Sequence, residues 1–208
     1  MKKIFLLISL IVLFESCDRN YPIEKYYDYK TRFDKNFTDQ FPKKIKCDYY
    51  QMTADTQPDR NNVGFYLQLH LHQKSNVKDI KLNAQKLAIA KYNSSDKCLF
   101  IVNRFETVQT YDNIEIPKVD STKLNIECER NLLPIPNFVT YKSHNSFNDL
   151  KLDKSFEIYI FESKAGKMLK NFKMNPFSEM PEKWKNGISK GIAISEKNKD
   201  VIYWSIAW

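Results

Sequence analysis

The most regular pattern of apolar and polar residues in the chain lies between Gly64 and Gln73, where large apolar side chains occupy every second position. Because successive side chains of a strand point to opposite faces of a sheet, this pattern predicts a half-buried strand. Leu67 and the other odd-numbered residues from 65 to 71 form the predicted core face. His70 and His72 share the opposite face, which we expect to be in solvent.

The C-terminal end of the chain predicts a β-hairpin. The apolar stretch Ile192–Ile194 leads into a polar turn at 196–200, and the chain returns from Val201 to Trp208. One face of the returning strand carries only large apolar side chains, as a core face does. These are Ile202, Trp204, Ile206 and Trp208.

Two segments have apolar residues at helical spacing. The first begins at Pro22, which suits a first helical turn, and continues to Phe33, with Glu24 placed where a helix start favours an acid. The second covers 77–90. We favour a helix there, although 87–90 alone suits a strand equally well.

Short apolar runs predict further strands at 99–102, 124–128 and 156–161. The two prolines of 133–136 cannot donate to a strand ladder, so this segment should be an extended connection or a sheet edge. The chain has no repeats and no linker-like tract. We therefore predict one α+β domain over 22–208, dominated by antiparallel sheet, with a short N-terminal helix and a C-terminal β-hairpin.

The N-terminus has the layout of a secretory signal, with Lys2 and Lys3, an apolar run of about 11 residues, and then Ser16-Cys17. A membrane-spanning helix needs roughly 20 apolar residues, so we predict a cleavable signal at 1–16. Ser16-Cys17 resembles the end of a lipobox, in which the cysteine is acylated. We therefore predict lipidation of Cys17 and a tether at 17–21.

Two departures from the lipobox leave an alternative open. Phe14 stands where a leucine is usual, and Glu15 where a small or apolar residue is usual. In the alternative, an ordinary signal peptide is cut nearby and Cys17 is an incidental thiol.

Charge and glycine content exclude some classes of function. The net charge is +8, but lysines alternate with acids and no dense basic run occurs, which indicates a solvated surface and no nucleic-acid partner. Only four glycines are present, too few for a nucleotide-binding loop of a standard kind. We predict no cofactor.

Besides Cys17, the chain contains Cys47, Cys98 and Cys128. An exported chain meets an oxidising compartment, where a disulfide is expected. We favour Cys98 with Cys128, because each borders a predicted strand. The other two pairings, or three free thiols, remain open. The spacing matches no zinc motif.

Two patterns could carry chemistry. Gly187–Gly191 matches the G-x-S-x-G nucleophile motif around Ser189, but a polar stretch precedes it, a strand follows it, and no histidine lies beyond His144. We therefore interpret it as a glycine-bracketed loop leading to the hairpin. His70 and His72 could bind a metal ion with a third ligand such as His144 or Glu127, but two histidines on a solvated strand face explain the same residues with nothing added, and we favour that interpretation.

Both ends of the chain resemble small lipoproteins of uncharacterised function from Bacteroidota-type bacteria. The resemblance rests on Ser16-Cys17-Asp18, on 184–194 and on 202–204, within roughly the last 30 residues. It implies an envelope location, with the outer membrane favoured, and supplies no catalytic residue.

Three functional hypotheses follow. The first is a non-enzymatic envelope lipoprotein, held in the membrane by its N-terminal lipid, that binds an unknown protein or glycan partner. The second is an envelope hydrolase or metal-dependent enzyme that uses Ser189 or the pair His70 and His72. A purely structural role is compatible with the same residues.

Overall fold

The computed structural model describes residues 23–45, 49–55, 65–72, 76–102, 131–138, 152–168, 176 and 180–208. They form an α+β domain built on one antiparallel sheet, as predicted, whose six strands in this part of the chain are ordered β1-β2-β6-β5-β4-β3. The helices are α1 (Ile23–Thr31), α2 (Lys35–Thr38) and α3 (Val77–Leu87), with a one-turn 3-10 helix at Glu182–Trp184. The strands are β1 (Tyr49–Asp55), β2 (Phe65–His72), β3 (Ala90–Asn93), β4 (Glu157–Ala165), β5 (Gly187–Ser195) and β6 (Asp200–Ala207).

The C-terminal hairpin predicted from the sequence is confirmed, and it forms the centre of the sheet. β5 and β6 pair with each other, β6 also pairs with β2, and β5 also pairs with β4. All eight residues of β6 are buried. The hairpin therefore holds the described sheet together.

The sheet is covered on both faces. One face, which we call the helical face, packs Leu67, Leu69 and Leu71 of β2 against α1, α2 and α3. The other, which we call the loop face, packs the even-numbered residues of β6 against chain without regular strands, including Phe138 and Trp184. Burial of a side chain as large as Trp204 contributes about 3 kcal/mol.

The prediction of a half-buried β2 is wrong. Tyr66 and Gln68 of its supposedly solvated face are buried, and His70 and His72 are partly buried. Alternation alone cannot distinguish a solvated polar face from a polar face covered by another layer of the protein. Here the loop-face layer covers it.

The helices predicted from spacing are confirmed at α1 and α3. The apolar run 99–102 is buried as predicted, but it is not a regular strand: its ladder contact is a single parallel bridge between Ile101 and Ile135. The segment 133–136 is an extended connection, and 124–128 lies outside the described residues.

No described helix combines the length and apolar character required to cross a bilayer.

Candidate functional site

His70 and His72 lie beside a buried carboxylate at one end of the sheet. In the ladder between β2 and β6, His72 is directly opposite Asp200, and His70 is opposite Ile202. His72 Nδ1 is 2.8 Å from Asp200 Oδ1, and His70 Nε2 is 3.4 Å from the same oxygen. The structure thus joins the two histidines to an acid that the sequence pattern assigns to a polar turn.

The contact between His72 and Asp200 has the geometry that fixes an imidazole tautomer. With its proton on Nδ1, His72 donates to the carboxylate and keeps Nε2 as an acceptor. The His72 side chain is 35% exposed, whereas that of Asp200 is 5% exposed. A buried carboxylate that orients a partly exposed imidazole is an arrangement used in general-base catalysis.

A metal site at His70 and His72, the less favoured alternative, stays untested. Among the residues that the structure describes, no group of three or more His, Cys, Asp or Glu side chains is arranged to hold a metal ion. His144 and Glu127, the third ligands suggested by the sequence, lie outside those residues. His70 Nε2 is buried and makes no hydrogen bond within the described part of the chain.

Ser189 lies inside β5, so the prediction of a loop at Gly187–Gly191 is wrong. The serine is 1% exposed, and its hydroxyl donates to the carbonyl oxygen of Pro134 at 2.6 Å. A nucleophile elbow requires an exposed serine on a strained turn between a strand and a helix. Ser189 instead connects the central sheet to the loop-face layer.

The glycines around Ser189 have a packing role. A Cβ on Gly187 would lie 2.7 Å from Cζ2 of Trp208, and one on Gly191 would lie 2.8 Å from Cζ2 of Trp204. Real Cβ contacts do not become this short. The G-x-S-x-G match therefore reflects the space that two indole rings need against the strand.

Lys190, which no sequence pattern singles out, points to the helical face and is 7% exposed. Its ammonium donates to the carbonyl oxygen of Asn36 at 2.6 Å and lies 2.9 Å from Asp39 Oδ1 and 3.0 Å from Glu162 Oε2. Burial lowers the pKa of Lys190, but the bonds to Asp39 and Glu162 outweigh it and raise the pKa overall. The residue is a cation that holds the α2 region against the sheet.

A second charged cluster connects α3 to the sheet. Glu157 of β4 accepts from Lys81 of α3 at 2.5 Å and also pairs with Lys91 of β3. Burial raises the pKa of Glu157, but the bonds to the two lysines outweigh it and lower the pKa to about 2. Lys81 also reaches Glu196 at 2.7 Å.

Cys98 is disulfide-bonded. The three other cysteines, at 17, 47 and 128, all lie outside the described residues. Pairing with Cys128 therefore stays a prediction, as does lipidation of Cys17.

No protein-family model matches the chain, and neither a curated protein nor a solved structure matches it.

Proposed function

We propose that this protein is an exported lipoprotein of the bacterial cell envelope, anchored by a lipid on Cys17, whose α+β domain binds a protein or glycan partner. The observation that carries the proposal is the disulfide at Cys98. Disulfides persist in oxidising compartments outside the cytoplasm. This agrees with a secretory signal at 1–16 and with the resemblance of both chain ends to Bacteroidota-type lipoproteins; the outer membrane is the favoured location.

The environment of Ser189 supports a binding role over a serine hydrolase. Its hydroxyl donates to Pro134 in the core, and the two glycines of the motif accommodate Trp204 and Trp208. A hydrolase built on this serine would have to expose it by separating the loop-face layer from the sheet. A binding module requires no such rearrangement.

Intact-mass measurement on the membrane fraction of producing cells tests the anchor. The expected result is an acyl mass on the mature chain beginning at Cys17, and release of Cys17→Ala from the membrane fraction. Cys47→Ala is the matched control and should remain membrane-bound. An unmodified chain in the soluble fraction, or a Cys17→Ala variant that stays bound like the control, contradicts the anchored-lipoprotein proposal.

The class of partner needs a separate measurement on the anchored protein. Sedimentation with purified peptidoglycan detects a glycan partner, and chemical crosslinking of intact cells detects a protein neighbour. A binding module should give a saturable complex in one of the two assays. Neither assay depends on catalytic turnover.

A second candidate function is an envelope hydrolase that uses His72 as a general base. The observation favouring it is the 2.8 Å contact between His72 Nδ1 and the buried Asp200. Hydrolysis of p-nitrophenyl acetate by the purified chain provides a test. This candidate predicts that His72→Gln and Asp200→Asn hydrolyse the ester more slowly than wild type, while Lys78→Gln keeps the wild-type rate. Equal rates in wild type and all three variants rule it out.

A further inference from the structure

Residues 23–42, which contain α1 and α2, are held together by contacts of their own, and we call them the N-terminal strap. The hydroxyl of Tyr26 in α1 donates to the carbonyl oxygen of Pro42 at 2.5 Å. The rings of Phe33 and Phe37 stack with their centroids 5.4 Å apart. Because these contacts lie within the strap, they do not depend on its position against the sheet.

The strap is attached to the central hairpin through polar groups. Lys190 of β5 and Ser205 of β6 are directly opposite each other in the ladder, and both are buried. Lys190 donates to the carbonyl oxygen of Asn36 at 2.6 Å, and Ser205 donates to that of Phe37 at 2.5 Å. The side-chain amide of Gln40 in turn donates to the Ser205 hydroxyl at 2.6 Å. Two polar side chains of the hairpin therefore take hydrogen-bond partners from the strap.

This polar attachment makes the strap separable from the sheet. When the strap leaves, water can replace its bonds to Lys190 and Ser205, so each bond adds only modestly to the cost of opening. The strap consists of helices and turns, and its departure breaks no strand pairing. In the closed position Gln40 Oε1 is buried without a hydrogen bond, a cost that opening removes.

Apolar contacts keep the strap closed in the native state. Phe41 is 2% exposed, and its ring packs on Tyr203 of β6 with the centroids 6.0 Å apart. Proteins open in cooperative units whose free energies lie below that of global unfolding. We propose that the strap opens as one such unit while the six-stranded sheet stays folded, and that opening uncovers the helical face around Tyr203 and Ser205. The inference depends neither on the anchor nor on the class of partner.

Alkylation of an introduced thiol measures this opening. Ser205→Cys places a thiol under the strap, and Ser189→Cys is the matched control in the same hairpin. Each serine is at most 1% exposed and donates to a backbone carbonyl oxygen, that of Phe37 for Ser205 and that of Pro134 in the loop-face layer for Ser189. The purified full chains react with iodoacetamide in native buffer, and peptide mass spectrometry identifies the labelled cysteine. We expect Ser205→Cys to react at least roughly tenfold faster than Ser189→Cys, because strap opening requires less free energy than global unfolding.

A second substitution distinguishes strap opening from global unfolding. Lys190→Met removes a strap contact and should speed the alkylation of Ser205→Cys about tenfold. Ile160→Val instead weakens the packing of a buried side chain on the loop face. It should leave the rate of Ser205→Cys unchanged, since the loop face stays packed when the strap opens. A thiol that reacts only through global unfolding would be accelerated roughly fivefold by Ile160→Val as well.

Hydrogen exchange of the unmodified chain provides a second readout that needs no cysteine variant. Amides of α1 and α2 should share one opening equilibrium and be less protected than those of β5 and β6. Equal protection of the strap and of β6 overturns the proposal. So does a Ser205→Cys rate no faster than that of Ser189→Cys, or one that Lys190→Met and Ile160→Val both raise or both leave unchanged.

Discussion

Gly191 of β5 lies directly opposite Trp204 of β6, and the indole ring lies against the backbone of the glycine. The same ring is fully buried and packs edge-on against Phe138 of the loop-face layer, with ring centroids 6.1 Å apart. The absence of a side chain at Gly191 therefore determines how closely the loop-face layer can approach the sheet.

Gly191→Ala should destabilise the fold by at least about 3 kcal/mol, at the upper end of the cost of overpacking a core. The added Cβ would overlap the carbonyl oxygen of Tyr159, which belongs to the backbone of the neighbouring strand and cannot rotate away. Urea unfolding followed by fluorescence measures the change.

Gly166→Ala is the comparison. Gly166 has φ of +104°, but a Cβ added there would meet no atom within 4 Å, so its cost comes from backbone conformation alone, about 1–2 kcal/mol. If Gly191→Ala were as stable as Gly166→Ala or more stable, the close approach of Tyr159 and Trp204 to Gly191 would be wrong.

Lys190→Met should cost about 1–2 kcal/mol in the free energy of unfolding. The change keeps the aliphatic volume but removes a cation that binds Asn36, Asp39 and Glu162. Loss of one member of a fully buried ion pair costs more, but Asp39 is half-exposed and solvent replaces part of the interaction.

Lys164→Met is the matched control, because Lys164 also pairs with Glu162 but its side chain is 58% exposed. An exposed ion pair contributes at most about 1 kcal/mol, so we expect Lys164→Met to cost less than Lys190→Met. Thermal unfolding of both variants gives the comparison. Equal losses would mean that Lys190 does not hold the α2 region.

Glu157→Gln should make the domain less stable above pH 4.5, the ordinary pKa of a glutamate, by about 1–2 kcal/mol after allowance for solvent screening. Since the folded state lowers the pKa of Glu157 to about 2, its charge stabilises the native protein above 4.5, and that contribution disappears as the pH falls towards 2. The difference between wild type and variant should shrink over that range.

Denaturant midpoints of wild type and Glu157→Gln, measured at a series of pH values from 7 downwards, test this pH dependence. Lys81→Met supplies the control background: without the lysine that contacts Glu157 at 2.5 Å, the same Glu157→Gln change should have a smaller and flatter effect. A pH-independent difference in the wild-type background would refute the ion-pair assignment.

The sequence predicted the strands that carry large aliphatic or aromatic side chains at every second position, but not the burial of their other face, which depends on distant partners. The alternation of β2 and of the returning strand β6 identified both. β1 was missed although Tyr50, Met52 and Ala54, which face the helical-face core, alternate with polar residues at 51, 53 and 55. β3 has only four residues and follows α3 almost directly.

The candidate site was predictable only in part. Spacing placed His70 and His72 on one strand face, but their acid, Asp200, is 128 residues from His72 in the chain and looked like part of a polar turn. For Ser189 the error was one of local structure: the two glycines around it indicated a loop, whereas the residue lies inside β5. Pairing between strands distant in sequence was the missing information in both cases.

Replacement of the disulfide partner of Cys98 should expose a thiol that is protected in the native chain. We predict that partner to be Cys128, so Cys128→Ser should leave Cys98 open to alkylation after unfolding without reductant, whereas Cys47→Ser should leave it protected. Peptide mass spectrometry identifies the alkylated cysteine. Loss of the cross-link should also cost about 2–4 kcal/mol, because it no longer restricts the unfolded chain. Protection of Cys98 in Cys128→Ser, with alkylation in Cys47→Ser, would instead assign the bond to Cys47 and leave Cys128 as the unpaired thiol.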